Sequence, residues 1–151
     1  MATKKQGRQE AKHHEAAADT SEWHLLDAKN KILGRLASEV AHLLLGKHRA
    51  DFAKHVIPSV NVIVINAKDV AVTGRKETQK LYRHHTGYPG HLKERTLAEQ
   101  RRRDPRRIVQ LAVQGMLPKN GLRKARMSHL KVYAGAEHPH MAQVEKVVSS
   151  K

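Results

Sequence analysis

Apolar residues recur at three- and four-residue spacing from Leu33 through Leu36, Ala37, Val40, Leu43 and Leu44. That spacing predicts a helix with one buried face. Gly46 follows the last apolar turn, with Lys47 and Arg49 at the negative end of the helix, as a C-terminus requires. Before this helix, "WHLLDA" reads as a short strand. After it, "VNVIVIN" (60–66) is apolar on both faces and rich in β-branched residues. A strand covered on both sides has this pattern. Strand, helix and buried strand together predict a βαβ unit with a right-handed crossover.

Further on the periodicity is weaker. Thr73-Gly74-Arg75-Lys76 reads as a basic turn, "QKLYRHH" as a third strand and "TGYPG" as a rigid loop with glycine where positive φ is needed. Two helix starts follow. Thr96-Leu97-Ala98-Glu99 fits a capping box, and Asp104-Pro105 fits an N-cap with proline in the first helical position. The second of these helices turns Ile108, Val109, Ala112, Val113 and Met116 inward. Pro118 opens the next element, where Leu122, Ala125 and Leu130 suit a short helix, and "LKVYAG" (130–135) reads as a last strand. No internal repeat is visible. Residues 1–22 are polar and lack an apolar period, so a disordered tail is expected there. A single domain is expected over 23–143, with a C-terminal tail over 144–151.

Charge changes the picture more than any motif. The 151 residues carry 29 Lys and Arg against 14 Asp and Glu, a formal net charge of +15 with a pI near 10.4. Such an excess attracts polyanions, above all nucleic acid. Residues 75–131 hold 16 basic and 4 acidic groups, so +12 of the +15 lies in that segment. No apolar run approaches the roughly 18 residues of a membrane span, and no signal peptide opens the chain. Without cysteine there are no disulfides, thiolate metal sites or thiol catalysis. A cytoplasmic location is expected.

Catalytic patterns are missing. Ser38 and Ser128 sit in no Gly-x-Ser-x-Gly turn, no phosphate-binding glycine fingerprint occurs, and Glu39 and Asp51 look like ordinary surface charges. A nucleotide-binding α/β enzyme, with phosphate at a helix start near Gly34, is the rival reading. A DNA-binding protein is a third, without a helix-turn-helix or basic zipper to support it. His84-His85 and His138-Pro139-His140 are the best metal candidates. Each pair supplies two ligands at most where zinc takes about four, so no metal is expected. Arg101, Arg102, Arg103, Arg106 and Arg107 place five like charges within seven residues. Their mutual repulsion favours a counter-anion over a merely solvated face. Aromatic residues make up only 3% of the chain, too few for a base-stacking platform, so phosphate and RNA shape should dominate recognition.

"GRLAS" (34–38), "VIVINA" (62–67), "TGRK" (73–76), "YRHHTGYPG" (82–90), "GMLPKN" (115–120) and "VYAG-x-x-HPH-x-x-Q" (132–143) occur in order. Together they closely resemble the bacterial-type large-subunit ribosomal protein L13 family. The resemblance implies a three-layer α/β/α fold around a small, mainly parallel four-stranded sheet. It implies a non-enzymatic constituent of the large ribosomal subunit, bound to large-subunit ribosomal RNA beside neighbouring ribosomal proteins and active early in subunit assembly. No cofactor, membrane or small-molecule substrate is implied, and a cytoplasmic ribosome is expected ahead of an organellar one. With the charge pattern, it nominates as RNA contacts Arg35, Lys47 and Arg49 around the first helix, then Arg75, Lys76, Arg83, His84 and His85. The five clustered arginines follow, then Lys119, Asn120, Arg123, Lys124 and Arg126, with His138 and His140 on the exposed segment after the last strand. The sequence departs from the family at Arg123, which stands where the family usually carries glycine.

Overall fold

A computed structural model describes residues 21–148. Nearly all of the tail expected over 1–22 lies outside these residues, except that Glu22 already belongs to the first strand. In chain order the elements are β1 (Glu22–Asp27), α1 (Leu33–Leu45), β2 (Val60–Ile65) and a single 3-10 turn (Ala67–Asp69), then α2 (Lys76–Gln79), β3 (Leu81–His85) and β4 (Leu92–Thr96). The second half holds α3 (Leu97–Arg103), α4 (Pro105–Met116), α5 (Leu122–Ser128), β5 (Leu130–Val132) and α6 (Met141–Val148).

β2 is the middle strand of a parallel sheet ordered β1-β2-β5, with Leu26 beside Val64 and Val62 beside Leu130. Alternation along β2 sends Val60, Val62 and Val64 to one face, where they join the main core with Leu33, Leu36, Ala37, Val40 and Leu44 of α1 and Ile108, Val109 and Val113 of α4. Ile63 is equally buried but belongs to the other face. There Trp23 of β1 meets the His140 ring at 5.3 Å, and α6 packs against β1. The apolar run on both faces of β2 is thereby explained, and the α/β/α layering expected of the chain is present.

The sheet has three strands where four were expected. The segment read as a third sheet strand, β3, pairs antiparallel with β4 in a separate ribbon, Arg83 opposite Glu94 and His84 opposite Lys93. Its residues explain the difference. Only Tyr82 of β3 is even half-buried, and a strand with two adjacent histidines and an arginine has no apolar face to bury within a parallel sheet. Gly87 and Gly90 take positive φ, 96° and 73°, in the connecting loop, as the sequence required. The last strand is shorter than expected, because Tyr133 and Ala134 instead accept hydrogen bonds from Ala67 and Lys68 after β2. α6 was not anticipated and runs to Val148, past the boundary expected at 143.

Both expected helix starts are found. Thr96 and Glu99 close a reciprocal capping box on α3, and Asp104 accepts from the Arg106 N–H with Pro105 as the first residue of α4. Gly46 caps α1 at φ 76°, and a side chain there would also press on Pro58 at 3.1 Å. Arg123 sits inside α5, where right-handed backbone makes no demand for glycine.

Two polar side chains stitch the loops to this core. Asp27 accepts hydrogen bonds from the Lys29 N–H and from Asn66 Nδ2, both at 2.9 Å, joining the ends of β1 and β2. These bonds, the Lys29 N–H first, hold its carboxyl below the usual carboxylate range. Asp27 therefore stabilises the fold above the unfolded pKa of about 3.9, and the contribution disappears as pH falls through the lower folded value. Arg126 is 1% exposed and donates to the carbonyls of Lys54 (3.0 Å) and Val56 (3.2 Å), pinning the loop between α1 and β2 to α5. Removing it leaves two carbonyls unsatisfied beside a void. Arg126→Ala should lower the unfolding free energy by about 3 kcal/mol in urea titrations, whereas a surface arginine would cost almost nothing. Asp27→Asn should flatten the loss of stability as pH falls from about 4, the unfolded carboxylate range, through the lower folded value, as read from urea unfolding across an acid series.

Candidate nucleic-acid interface

α4 has a second face. The residues opposite its buried stripe are Arg107, Gln110, Leu111 and Gln114, and they separate two open concavities. The first, about 470 Å³, lies between the ribbon and the α3–α4 corner. Arg83, His84, Lys93 and Arg95 line it from the ribbon, and Arg103, Asp104 and Arg107 from the helices. The second, about 540 Å³, lies between α4 and α5 and is lined by Asn120, Arg123 and Lys124 opposite Gln110 and Gln114. Arg107 and Leu111 border both, so the two concavities adjoin across α4 and together make a two-part trough.

The trough is strongly cationic. Arg83, Lys93, Arg95, Arg103, Arg107, Arg123 and Lys124 line it, with Asp104 as the acidic residue among them. Asp104 is already engaged, capping α4 and pairing with Arg106 Nε at 3.0 Å. Arg83 is held across the ribbon by Glu94 at 2.6 Å. An array of like charges on concave walls concentrates its field in the groove and is stabilised by an anion seated there. Guanidinium groups can bind phosphate oxygens through two donors, so a phosphate backbone fits the trough. Tyr82 lies at its edge half-buried against the core, and burial pushes its hydroxyl pKa up; it is a wall and not an open stacking surface.

Of the residues nominated from sequence, Arg83, His84, Arg103, Arg107, Asn120, Arg123 and Lys124 meet in this trough. The arginine cluster divides. Arg101 points inward, donating to the Val70 carbonyl at 3.1 Å and pairing with Glu77 at 2.9 Å, so it fastens α3 to the segment after β2 and to α2. Arg106 is tied to Asp104, and Arg102 is exposed. Arg126 is a correction: it is buried, and its guanidinium is consumed by the Lys54 and Val56 carbonyls.

His138 and His140, expected on an exposed segment, lie outside the trough. They are half-buried, with His140 against Trp23 and both rings 6.1 Å from Tyr133, and so close the far face of the sheet. Arg35 and Lys47 are exposed on and just after α1, while Arg49 is paired with Asp51 at 3.0 Å and Glu22 at 3.5 Å. Arg75, Lys76 and Lys119 are exposed outside the trough. His85 turns back to accept from the Gly87 N–H.

Lys93 and Arg95 are the cations that sequence reasoning missed. A turn signal was present, since "TGYPG" lies between the two five-residue strands, but neither strand alternates apolar and polar residues. At the start of α1, where the nucleotide-binding alternative would seat a phosphate, the Leu33 N–H already donates to the Ala71 carbonyl at 2.8 Å. Among the described residues, no helix is long and apolar enough to cross a membrane.

Comparison with known proteins bears on the same segment. The family model described as "Ribosomal protein L13" matches residues 21–139, most of the chain. The chain belongs to the ribosomal protein L13 family. A relative from Beutenbergia cavernae, named large ribosomal subunit protein uL13, is 57% identical over 121 residues, covering 80% of this chain and 82% of the relative. One of the same name from Nostoc sp. (strain PCC 7120) is 55% identical over 125 residues, with 83% of each chain covered. That from Bordetella pertussis is 51% identical over 136 residues, 90% of this chain and 94% of its own. Ribosomal protein L13 is a structural, non-enzymatic family, in keeping with a sequence that carries no catalytic motif. The match takes in the ribbon, α3, α4 and α5, so every wall of the trough lies within the family domain.

Proposed function

We propose that this chain is a structural constituent of the large ribosomal subunit and binds large-subunit ribosomal RNA through the trough across α4. Relatives more than half identical over most of their length bear the name of a large-subunit protein. The observation that carries the RNA reading is the gathering of seven lysines and arginines from the ribbon, the α3–α4 corner and α5 in two adjoining concavities. Phosphate contacts of this kind fix position and orientation and carry little sequence information. Their role here is to neutralise backbone where RNA segments converge, so that the folded arrangement persists. A protein that lowers this repulsion is most useful before the RNA has compacted, which supports a role early in subunit assembly. Neighbouring large-subunit proteins are the remaining partners, and the cytoplasm is the setting.

The reading separates residues that sit close together in sequence. Arg103 and Arg107 line the trough, whereas Arg101 is spent on Val70 and Glu77. Replacing Arg95, Arg103 and Arg107 together by alanine should weaken binding to structured RNA. It should also make the plot of log affinity against log salt shallower by about 0.7 to 0.9 for each phosphate no longer neutralised. Arg101→Ala should leave that slope unchanged and lower thermal stability. Filter binding across a salt series checks both, and an unchanged slope in the triple variant would reduce the cluster to a solvated face.

A further inference from the structure

Away from the trough, the fold gathers three metal-ligating side chains that sequence reading did not group. Glu22 and His24 alternate along β1 and so project from the same face of the sheet. His48 reaches them from the turn that follows α1, a turn set by the left-handed Gly46. His48 Nε2 lies 3.1 Å from Glu22 Oε2, and His24 Nε2 lies 3.8 Å from the same oxygen. The ligand atoms of all three fall within 4.8 Å of one another. The imidazole rings stand nearly perpendicular, 81° apart with centroids at 5.5 Å, and do not stack.

We propose that Glu22, His24 and His48 form a site for one divalent transition-metal ion of the zinc type. Two imidazoles and one carboxylate are a donor set suited to such ions, and unsuited to calcium or magnesium, which take oxygen ligands. Around zinc, ligands at 2.0–2.2 Å in tetrahedral array stand about 3.4 Å from one another. The observed 3.1 and 3.8 Å from the two histidines to Glu22 bracket that separation. The carboxylate is already divided between two tasks. Arg49 lies 3.5 Å from Oε1, while both histidines face Oε2, so Oε2 can bind the ion while Oε1 keeps its contact with Arg49. Such an outer partner orients a ligating group. Water completes the coordination. A bound ion would clamp the start of β1 to the end of α1.

The chain has 12 histidines, so binding must be located as well as counted. Full-length protein is titrated with zinc chloride by calorimetry, alongside the His24→Gln/His48→Gln double variant and a His84→Gln/His85→Gln control. The double variant should lose one equivalent, or bind it at least about tenfold more weakly, while the control retains it. Should the double variant fold poorly, nuclear magnetic resonance of the wild-type chain with substoichiometric cobalt(II) reads the site directly. The imidazole signals of His24 and His48 should broaden before those of the other histidines. Zinc stoichiometry and affinity unchanged in the folded double variant, or broadening centred on other histidines, would overturn the site and leave the trio as an ion-pair cluster.

Discussion

The docking of α4 on α1 over the even-numbered valines of β2 is the contact on which the rest of the molecule depends. Leu36, Ala37, Val40 and Leu44 on one helix and Ile108, Val109 and Val113 on the other are all buried, most of them completely. Close packing of this kind resists small displacements, because each side chain sits between several others. α4 therefore has no freedom to roll. Since the helix carries Arg107, Gln110, Leu111 and Gln114 on its other side, a hydrophobic contact in the core fixes the orientation of a polar surface outside it.

The trough is assembled around that fixed axis by elements with little core of their own. The ribbon of β3 and β4 is mostly exposed and is attached at its base, where Tyr82 packs on the core, Leu97 is buried and the Leu97 N–H donates to the Lys80 carbonyl. α5 is held on the opposite side by Leu130 beyond it and by the buried Arg126 within it. Arg101 performs the matching task under α3, tying it to the Val70 carbonyl. Two arginines in the most basic part of the chain thus serve the scaffold, and the remaining cations are presented by what those two hold in place. A buried guanidinium is costly unless its donors are met, and here backbone carbonyls of irregular loops meet the terminal nitrogens while the Nε of each arginine is left without a partner.

Where hydrophobic periodicity decides the structure, the sequence was readable. The buried faces of α1 and α4, the two-sided burial of β2, the Gly46 cap and the break at Asp104-Pro105 follow from residue spacing and local hydrogen bonding, except that Met116, expected inward at the end of α4, is exposed. The ribbon was harder because its strands carry no buried face; pairing there rests on turn geometry and on cross-strand pairs such as Arg83 with Glu94. The candidate interface was readable as a region of charge but not residue by residue. Arg101, Arg102 and Arg103 are identical letters, and only the helical phase relative to the core separates the one pinned inside from the one in the trough. Likewise nothing local distinguishes Arg126 from Arg123. The fate of His138 and His140 was hidden because the covering of the sheet's far face depends on Trp23, more than a hundred residues away.

The central claim is that RNA occupies the trough on either side of α4. Lys93 stands in one concavity and Lys124 in the other, whereas Lys29 and Lys31 are exposed on the loop before α1. Acylation of lysines, read by mass spectrometry with and without large-subunit ribosomal RNA, compares these positions in a single experiment. The account predicts that Lys93 and Lys124 lose reactivity together when RNA binds, while Lys29 and Lys31 keep theirs. Undiminished reactivity at both trough lysines in a saturated complex would contradict it.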